Sequence, residues 1–295
     1  MRMLCTFEDA ISGFLLDRRI SGLTAASIQT YRCHLAVFYR WCSDRQRLFS
    51  ELTAGDVREY LAQRQSLSQS RLVEAYRRLQ PFFRWAEAEN YCENLFEKIR
   101  KPKEPQTQVS ALTKDHVKAM LATCRGGGLL GLRDEALIRL LVDSGLRVSE
   151  ALALTVQDIR FDDGAIAVHR GKGQKDRTVY IGPKTCKALL RYLCHRLKNP
   201  GGLVFLTRQA SPLTRCSACH LISKIGRKAG IVGVRVSPHS LRHTFATWFL
   251  RSGGDVFSLQ RQLGHASLTM TRKYLDLTAV DLASAHARHS PGNMV

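Results

Sequence analysis

Acidic residues are scarce in this chain: 25 Asp+Glu stand against 45 Lys+Arg, a formal charge of +20 over 295 residues. An excess of that size repels itself and points to a polyanionic partner. No stretch approaches the ~20 apolar residues that a membrane-crossing helix needs. The opening residues, Met1 to Glu8, hold no long apolar run, so a secretory leader is not expected. The nine cysteines are odd in number and scattered through helical patterns, as at Cys33, Cys42 and Cys194. That excludes a disulfide scaffold and suits reduced thiols in a cytoplasm. The triple glycine Gly126–Gly128 is followed by no Gly-Lys-Ser/Thr, which excludes a phosphate loop of the nucleotide-binding type. No repeat of fixed period is present. Cys216-Ser217-Ala218-Cys219-His220 has the spacing of a haem attachment or half a zinc site. Neither has its context, since a zinc site needs further ligands and only Cys194 and His195 lie near in sequence. A helix start capped by Thr214 accounts for the stretch better.

What is present divides in two. Residues 1–100 carry 15 Lys+Arg against 12 Asp+Glu, and residues 101–295 carry 30 against 13. The phosphate-binding load therefore belongs mostly to the second part. The first part reads as four helices. Thr6 with Asp9 caps one containing Phe7, Ala10, Phe14 and Leu15. Thr24 opens a second, with Ile28, Tyr31, Leu35, Phe38 and Cys42 on one stripe. Thr53 with Asp56 starts a third. A fourth runs from about Ser68 through Leu72, Ala75, Leu79, Phe82 and Phe83. Pro81 lies inside that fourth pattern and predicts a kink or a split. Phe82, Phe83 and Trp85 could stack on bases, but their spacing suits a core. Arg18, Arg19, Arg45, Arg47, Arg77 and Arg78 suit contacts to a duplex backbone or simply a solvated face. The boundary is Ile99 to Gln108, polar, basic and twice interrupted by proline, which reads as an extended linker. The expected organisation is a helical domain over 1–101, a linker over 102–110 and a second domain over 111–295.

In the second domain Thr113 caps a helix, and a buried helix pattern from Leu132 ends at Ser144-Gly145, where glycine fits a left-handed cap. Arg147 follows, then a short helix from Val148 to Leu154. Between residues 158 and 181 the period changes to two. Ile159 and Phe161, then Ala165, Ile166 and Val168, then Thr178, Val179 and Ile181 predict three short antiparallel strands. Lys172 sits in the glycine-flanked turn between the last two. Pro183 starts a helix through His195. From Ser237 onward His239 and Arg242 are three apart, so they share a helix face. An apolar helix pattern then runs on to Gly264-His265, and Tyr274 follows in a basic, polar stretch. A short amphipathic pattern (Val280, Leu282, Ala285) closes the chain before Pro291-Gly292.

The order Arg147, Lys172, His239-x-x-Arg242, His265, Tyr274 resembles that of the tyrosine recombinase (phage integrase) family, in particular its Xer-type and integrase-like members. The motifs are Ser144-Gly145-Leu146-Arg147-Val148-Ser149-Glu150, Gly171-Lys172-Gly173-Gln174-Lys175-Asp176-Arg177, His239-Ser240-Leu241-Arg242-His243, Leu263-Gly264-His265 and Tyr274. Each is weak alone; five in order across nearly the whole chain are specific. Leu275-Asp276 depart mildly from the histidine often found shortly after the family's tyrosine, which bears on subfamily.

The resemblance implies a mainly α fold with a small antiparallel β-sheet. It implies a two-domain DNA clamp, with a helical (SAM-like) N-terminal core-binding domain and a tyrosine-recombinase catalytic domain. It implies a site-specific recombinase that cuts and rejoins DNA through a covalent 3′-phosphotyrosine on Tyr274. A tyrosine with a pKa near ~10 is ionised to only about one part in a thousand at neutral pH, so it needs help. Arg147 and Arg242 would bind the phosphate as two permanent cationic forks. His265 would add a hydrogen bond, His239 would move a proton, and Glu150, one turn from Arg147, would orient its neighbours. Lys172 would protonate the departing 5′ oxygen. Lys175 rivals it, and spacing leaves the choice open. Because bond energy is held in the phosphotyrosine, neither a cofactor nor a metal is required. His243 faces elsewhere on its helix and reads as structural; His169 reads only as a strand end. The implied partners are double-stranded DNA and other recombinase protomers, four around two duplexes, whether copies of this chain or a sister recombinase, with residues 280–288 as a docking tail. No membrane is implied. Two other functions share the fold: a DNA-binding protein that does not use these residues, and a nicking-resealing topoisomerase of the type IB kind.

Overall fold

The computed structural model describes residues 6–104, 110–169, 176–196, 202–264 and 290. Lys172, Lys175, His265, Tyr274 and the 280–288 tail lie outside the described residues. The chain forms two compact units, residues 1–107 and 108–295.

The first unit is helical: α1 (Phe7–Ile20), α2 (Ala25–Ser43), α3 (Ala54–Leu67) and α4 (Gln69–Ala88). The caps follow from hydroxyls placed one residue before each helix. Thr6 accepts from the Asp9 N–H at 3.1 Å, and Thr53 with Asp56 closes a reciprocal box, Thr53 N–H to Asp56 Oδ2 at 2.9 Å. Each such cap satisfies a helix-end donor that would otherwise be orphaned and is worth about 1 kcal/mol. Pro81 does not split α4, which runs unbroken from Gln69 to Ala88. A mid-helix proline costs ~3 kcal/mol. Leu79, Phe82, Phe83 and Ala86 beside it are almost fully buried. Large apolar side chains of this kind contribute about 1.5–3 kcal/mol each, which outweighs the loss. Phe82 and Phe83 are core residues, packed with Phe7, Phe14, Phe38 and Phe49. The start of the expected linker lies along α4, where Gln69 donates to the Lys103 carbonyl at 2.8 Å and Arg77 pairs with Glu104.

The second unit is built around α6 (Gly128–Ser144), whose Ala136, Leu137, Ile138, Leu140 and Leu141 are wholly buried. It is preceded by α5 (Lys114–Thr123) and followed by α7 (Val148–Ala153). Next come β1 (Ala165–Val168), β2 (Arg177–Tyr180), α8 (Pro183–His195) and α9 (Arg215–Lys228). The last two among the described residues are α10 (Pro238–Arg251) and α11 (Val256–Leu263). Helices α8 and α10 both pack on α6. Asp143, near the end of α6, accepts from the Gly182 N–H at 2.8 Å and from Thr185 Oγ1 at 2.6 Å, fastening the start of α8.

Two sequence expectations need correction. Among the described residues the sheet has two antiparallel strands, β1 and β2, with Ile166 opposite Val179. The expected first strand is reduced to one bridge, Ile159 to Ile166. A 3-10 turn over Val156–Asp158 precedes it and the turn at Asp162–Gly164 follows, leaving no extended length for a ladder. The apolar pattern from His243 to Gly264 is also two helices. Gly253 adopts φ +91° and Asp255 caps α11 by accepting from the Phe257 and Ser258 N–H groups, both at 2.9 Å.

Candidate active site

Helix α6 ends at Gly145 in the left-handed conformation, φ +64°. Ser144 Oγ donates back to the Leu140 carbonyl at 2.6 Å and accepts from the Leu146 N–H at 3.2 Å, so the turn is bonded on both sides. A Cβ on Gly145 would lie 2.3 Å from Phe245 Cδ1. Gly145→Ala therefore meets both backbone strain and a clash, and we expect about 2–4 kcal/mol of destabilisation. Urea unfolding of the purified chain checks this; an unchanged midpoint would show that the turn yields freely.

That turn delivers Arg147 to the position preceding α7. Glu150, one turn on, accepts from the Arg147 backbone N–H at 2.8 Å and from its Nη1 at 2.9 Å. Arg177, the first residue of β2, donates to the same carboxylate through both terminal nitrogens, at 3.0 and 2.9 Å. Burial by itself would raise the Glu150 pKa. The hydrogen bond from Arg177, the bonds from Arg147 and the Arg177 charge overcome it and hold the carboxyl at about 2. Glu150 is therefore an anion at any working pH.

Helix α10 begins with Ser237 as cap and Pro238 in its first turn, where a missing N–H costs nothing. His239 comes next, solvent-accessible. Partial burial, then the nearby Arg242 charge, lowers its pKa from 6.5. It is thus a neutral imidazole at neutral pH, able to accept a proton. Arg242, one turn later, is only 5% exposed. Its guanidinium donates to the Gly145 carbonyl at 2.7 Å and to the Leu263 carbonyl at 2.8 Å. These carbonyls belong to the C-terminal ends of α6 and α11, each followed or formed by a left-handed glycine, Gly145 and Gly264. Unpaired carbonyls and the negative end of the dipole make a helix C-terminus a favourable seat for a cation. One buried arginine thus joins the turn that leads to Arg147 and the turn that leads to His265.

The structure brings Arg147, Glu150 and Arg242 to one locus, with His239 beside Arg242. Arg177 belongs there too. In the sequence it is only the last letter of the lysine motif; a cation opening a β run is the available signal. His243 is buried in α10. His169 is more than a strand end: its ring nitrogens bond Asp176 Oδ2 at 2.9 Å and Asp158 Oδ1 at 3.1 Å, and the Asp176 bond leads in raising its pKa. Helix α9 sets Cys216 Sγ 4.0 Å from His220 Nδ1; among the described residues no group of three or more ligating side chains could hold a metal.

Residues 110–280 match the phage integrase family, and residues 11–93 match the N-terminal SAM-like domain of phage integrases. The chain belongs to the phage integrase family, the tyrosine-type site-specific recombinases. Within that family it is similar to tyrosine recombinase XerC of Oceanobacillus iheyensis, 33% identical over 99% of this chain and 98% of that protein. It is likewise similar to tyrosine recombinase XerD of Ralstonia nicotianae, 31% identical over 92% of this chain and 90% of that one. Among solved structures, XerA recombinase is 27% identical with a TM-score of 0.54, covering 96% of this chain and 99% of that one. The Tn1549 transposon integrase in complex with a circular intermediate DNA shares the fold, with a TM-score of 0.76 at 19% identity over 97% of this chain and 99% of that one. Among the described residues no helix is long and apolar enough to cross a membrane.

Proposed function

We propose that this recombinase binds double-stranded DNA and cuts it with Tyr274 as nucleophile, leaving a 3′-phosphotyrosine and a free 5′ hydroxyl. A 5′ hydroxyl from another strand then attacks the phosphotyrosine and reseals the DNA. The observation that carries the reading is the buried Arg242 bridge to Gly145, 97 positions upstream, because it places a second arginine beside the turn that presents Arg147. Attack on a phosphodiester adds negative charge to its nonbridging oxygens. Preorganised guanidinium groups stabilise that charge without reorganising at the moment of reaction. His239, kept neutral, takes or relays the tyrosine proton, and His265 donates a further hydrogen bond to the phosphate. Lys172 gives its proton to the departing 5′ oxygen. No cofactor or metal enters this balance, since the P–O5′ bond that breaks is exchanged for a P–O bond to Tyr274, which is exchanged back when the strand is resealed.

The helical unit, residues 1–101, supplies DNA contacts, residues 102–110 link, and residues 111–295 carry the chemistry. The neighbours solved with DNA support the DNA assignment. Two duplexes with two cuts each require four protomers, and the 280–288 tail is the segment we assign to docking between them. The setting is the cytoplasm, where the chain meets chromosomal or mobile DNA.

The decisive experiment denatures the chain while it is engaged on genomic DNA and sequences the strand ends that remain attached. Attachment at 3′ ends clustered at one site is the expected result; 5′ attachment, or none, overturns the reading. Lys172 and Lys175 are separated with a substrate whose 5′ oxygen is replaced by sulfur, a leaving group that needs no acid. Lys172→Ala should be restored by it and Lys175→Ala should not; the opposite pattern reverses the assignment.

A further inference from the structure

Adjacent carbonyls at the end of α11 are each capped by a different arginine. Leu263 takes Arg242, and Gln262 takes Arg177 through Nε at 3.0 Å. Arg177 then spends its remaining face on Glu150, in the two-point arrangement that a carboxylate and a guanidinium match geometrically. Its side chain is 10% exposed and that of Glu150 11%, whereas that of Arg147 is 42% exposed. The shielded pair is Arg177–Glu150, and Arg147 is the accessible member held by it.

We propose that Arg177 is a positioning residue for DNA cleavage, acting through Glu150 on Arg147. Two consequences follow from the geometry. Glu150 is locked by Arg177 in the rotamer that meets Arg147 at both its backbone N–H and its Nη1, so the Arg147 fork is set before the phosphate arrives. The carboxylate is also shared between two guanidinium groups. Arg177 competes with Arg147 for that carboxylate, so Glu150 does not fully neutralise the accessible arginine, which keeps it attractive to a phosphate. Lysine at position 177 keeps the charge but loses the fork, and it cannot hold both oxygens of Glu150 and the Gln262 carbonyl together.

The inference rests on the phosphotyrosine reading above, and the test separates the two. Single-turnover formation of covalent adduct is measured at saturating concentration of a duplex oligonucleotide carrying the site recovered from genomic DNA. The chains are wild type, Arg177→Lys, Arg147→Ala and the double variant, with Glu150→Gln as a second route to the same lesion. Arg177→Lys is expected to slow adduct formation about 10- to 100-fold, the scale of a misplaced catalytic group, with affinity for the duplex changed less than about twofold. In the Arg147→Ala background the same substitution should change the rate less than about twofold, because the route through Glu150 that the proposal assigns to Arg177 is gone. Glu150→Gln should show the same dependence on Arg147. An undiminished Arg177→Lys effect in the Arg147→Ala background overturns the proposal, as does a loss of rate that merely follows the fraction unfolded by circular dichroism. If the wild-type chain forms no adduct, both this inference and the phosphotyrosine reading fall; if it forms one and the effects simply multiply, only the role of Arg177 falls.

Discussion

Tyr274→Phe should bind the duplex as tightly as wild type and form no covalent adduct at all. The phenyl ring keeps the volume and apolar surface of tyrosine and loses only the hydroxyl. Every step of the proposed reaction passes through that oxygen: it displaces the 5′ oxygen, holds the phosphate and is displaced in turn. Other hydroxyls cannot inherit the role easily, since an unactivated serine or threonine is a weaker acid still and is not aimed at the phosphate. Denaturing gels with end-labelled DNA give the readout, and mobility shifts under native conditions give the binding control. Any covalent adduct from the phenylalanine variant would remove Tyr274 as nucleophile. Loss of binding together with loss of adduct would instead show that the residue holds the DNA.

Arg242→Ala should lose both chemistry and stability, and the pairing of the two is what distinguishes it from Arg147→Ala. Removing a donor preorganised for a charged transition state slows the chemical step by ~10²–10³. Arg242 is also 5% exposed and holds the Gly145 and Leu263 carbonyls at 2.7 and 2.8 Å. Both carbonyls lose a charge-assisted bond in the alanine variant and are left in a buried place, which should cost about 3 kcal/mol. Arg147, with a side chain 42% exposed and Glu150 still satisfied by Arg177, should cost less than ~1 kcal/mol on removal. Urea unfolding beside single-turnover cleavage resolves the two: equal stability losses would mean that Arg242 is not the structural tie between α6 and α11. Arg242→Lys should not restore either property, because one ammonium cannot reach two carbonyls in the geometry of the fork.

Much of this was readable beforehand. The Thr6, Thr24, Thr53, Thr113 and Thr214 caps stand where hydroxyls precede apolar periods, and Gly145 takes the left-handed turn its place after Ser144 called for. Phe82 and Phe83 are in the core that their spacing indicated. These are short-range properties, decided within one or two turns of chain. The misreadings have the opposite character. Pro81 would split an isolated helix, but α4 runs unbroken through it, where Leu79, Phe82 and Phe83 are buried. The expected strand at Ile159 had the right residues and lacked room for a ladder. The two helices α10 and α11 looked like one because apolar spacing survives the break, although Gly253-Gly254-Asp255 carries the stop and the new cap.

The site divides along the same line. Sequence alone determined which side chains can be proposed for phosphate chemistry and their order, because guanidinium, imidazole and phenol groups have fixed donors, charges and ionisation ranges. It also determined that His239 and Arg242 share a helix face, since that is one turn of local geometry. Only the tertiary structure decided what those groups do to one another. Arg242 meets Gly145 and Leu263, and Arg177 meets Glu150 and Gln262, through packing between segments tens of residues apart, where no local period carries information. A guanidinium looks the same in a sequence whether it faces a phosphate, a carboxylate or the end of a helix; burial and the carbonyls around it make the difference.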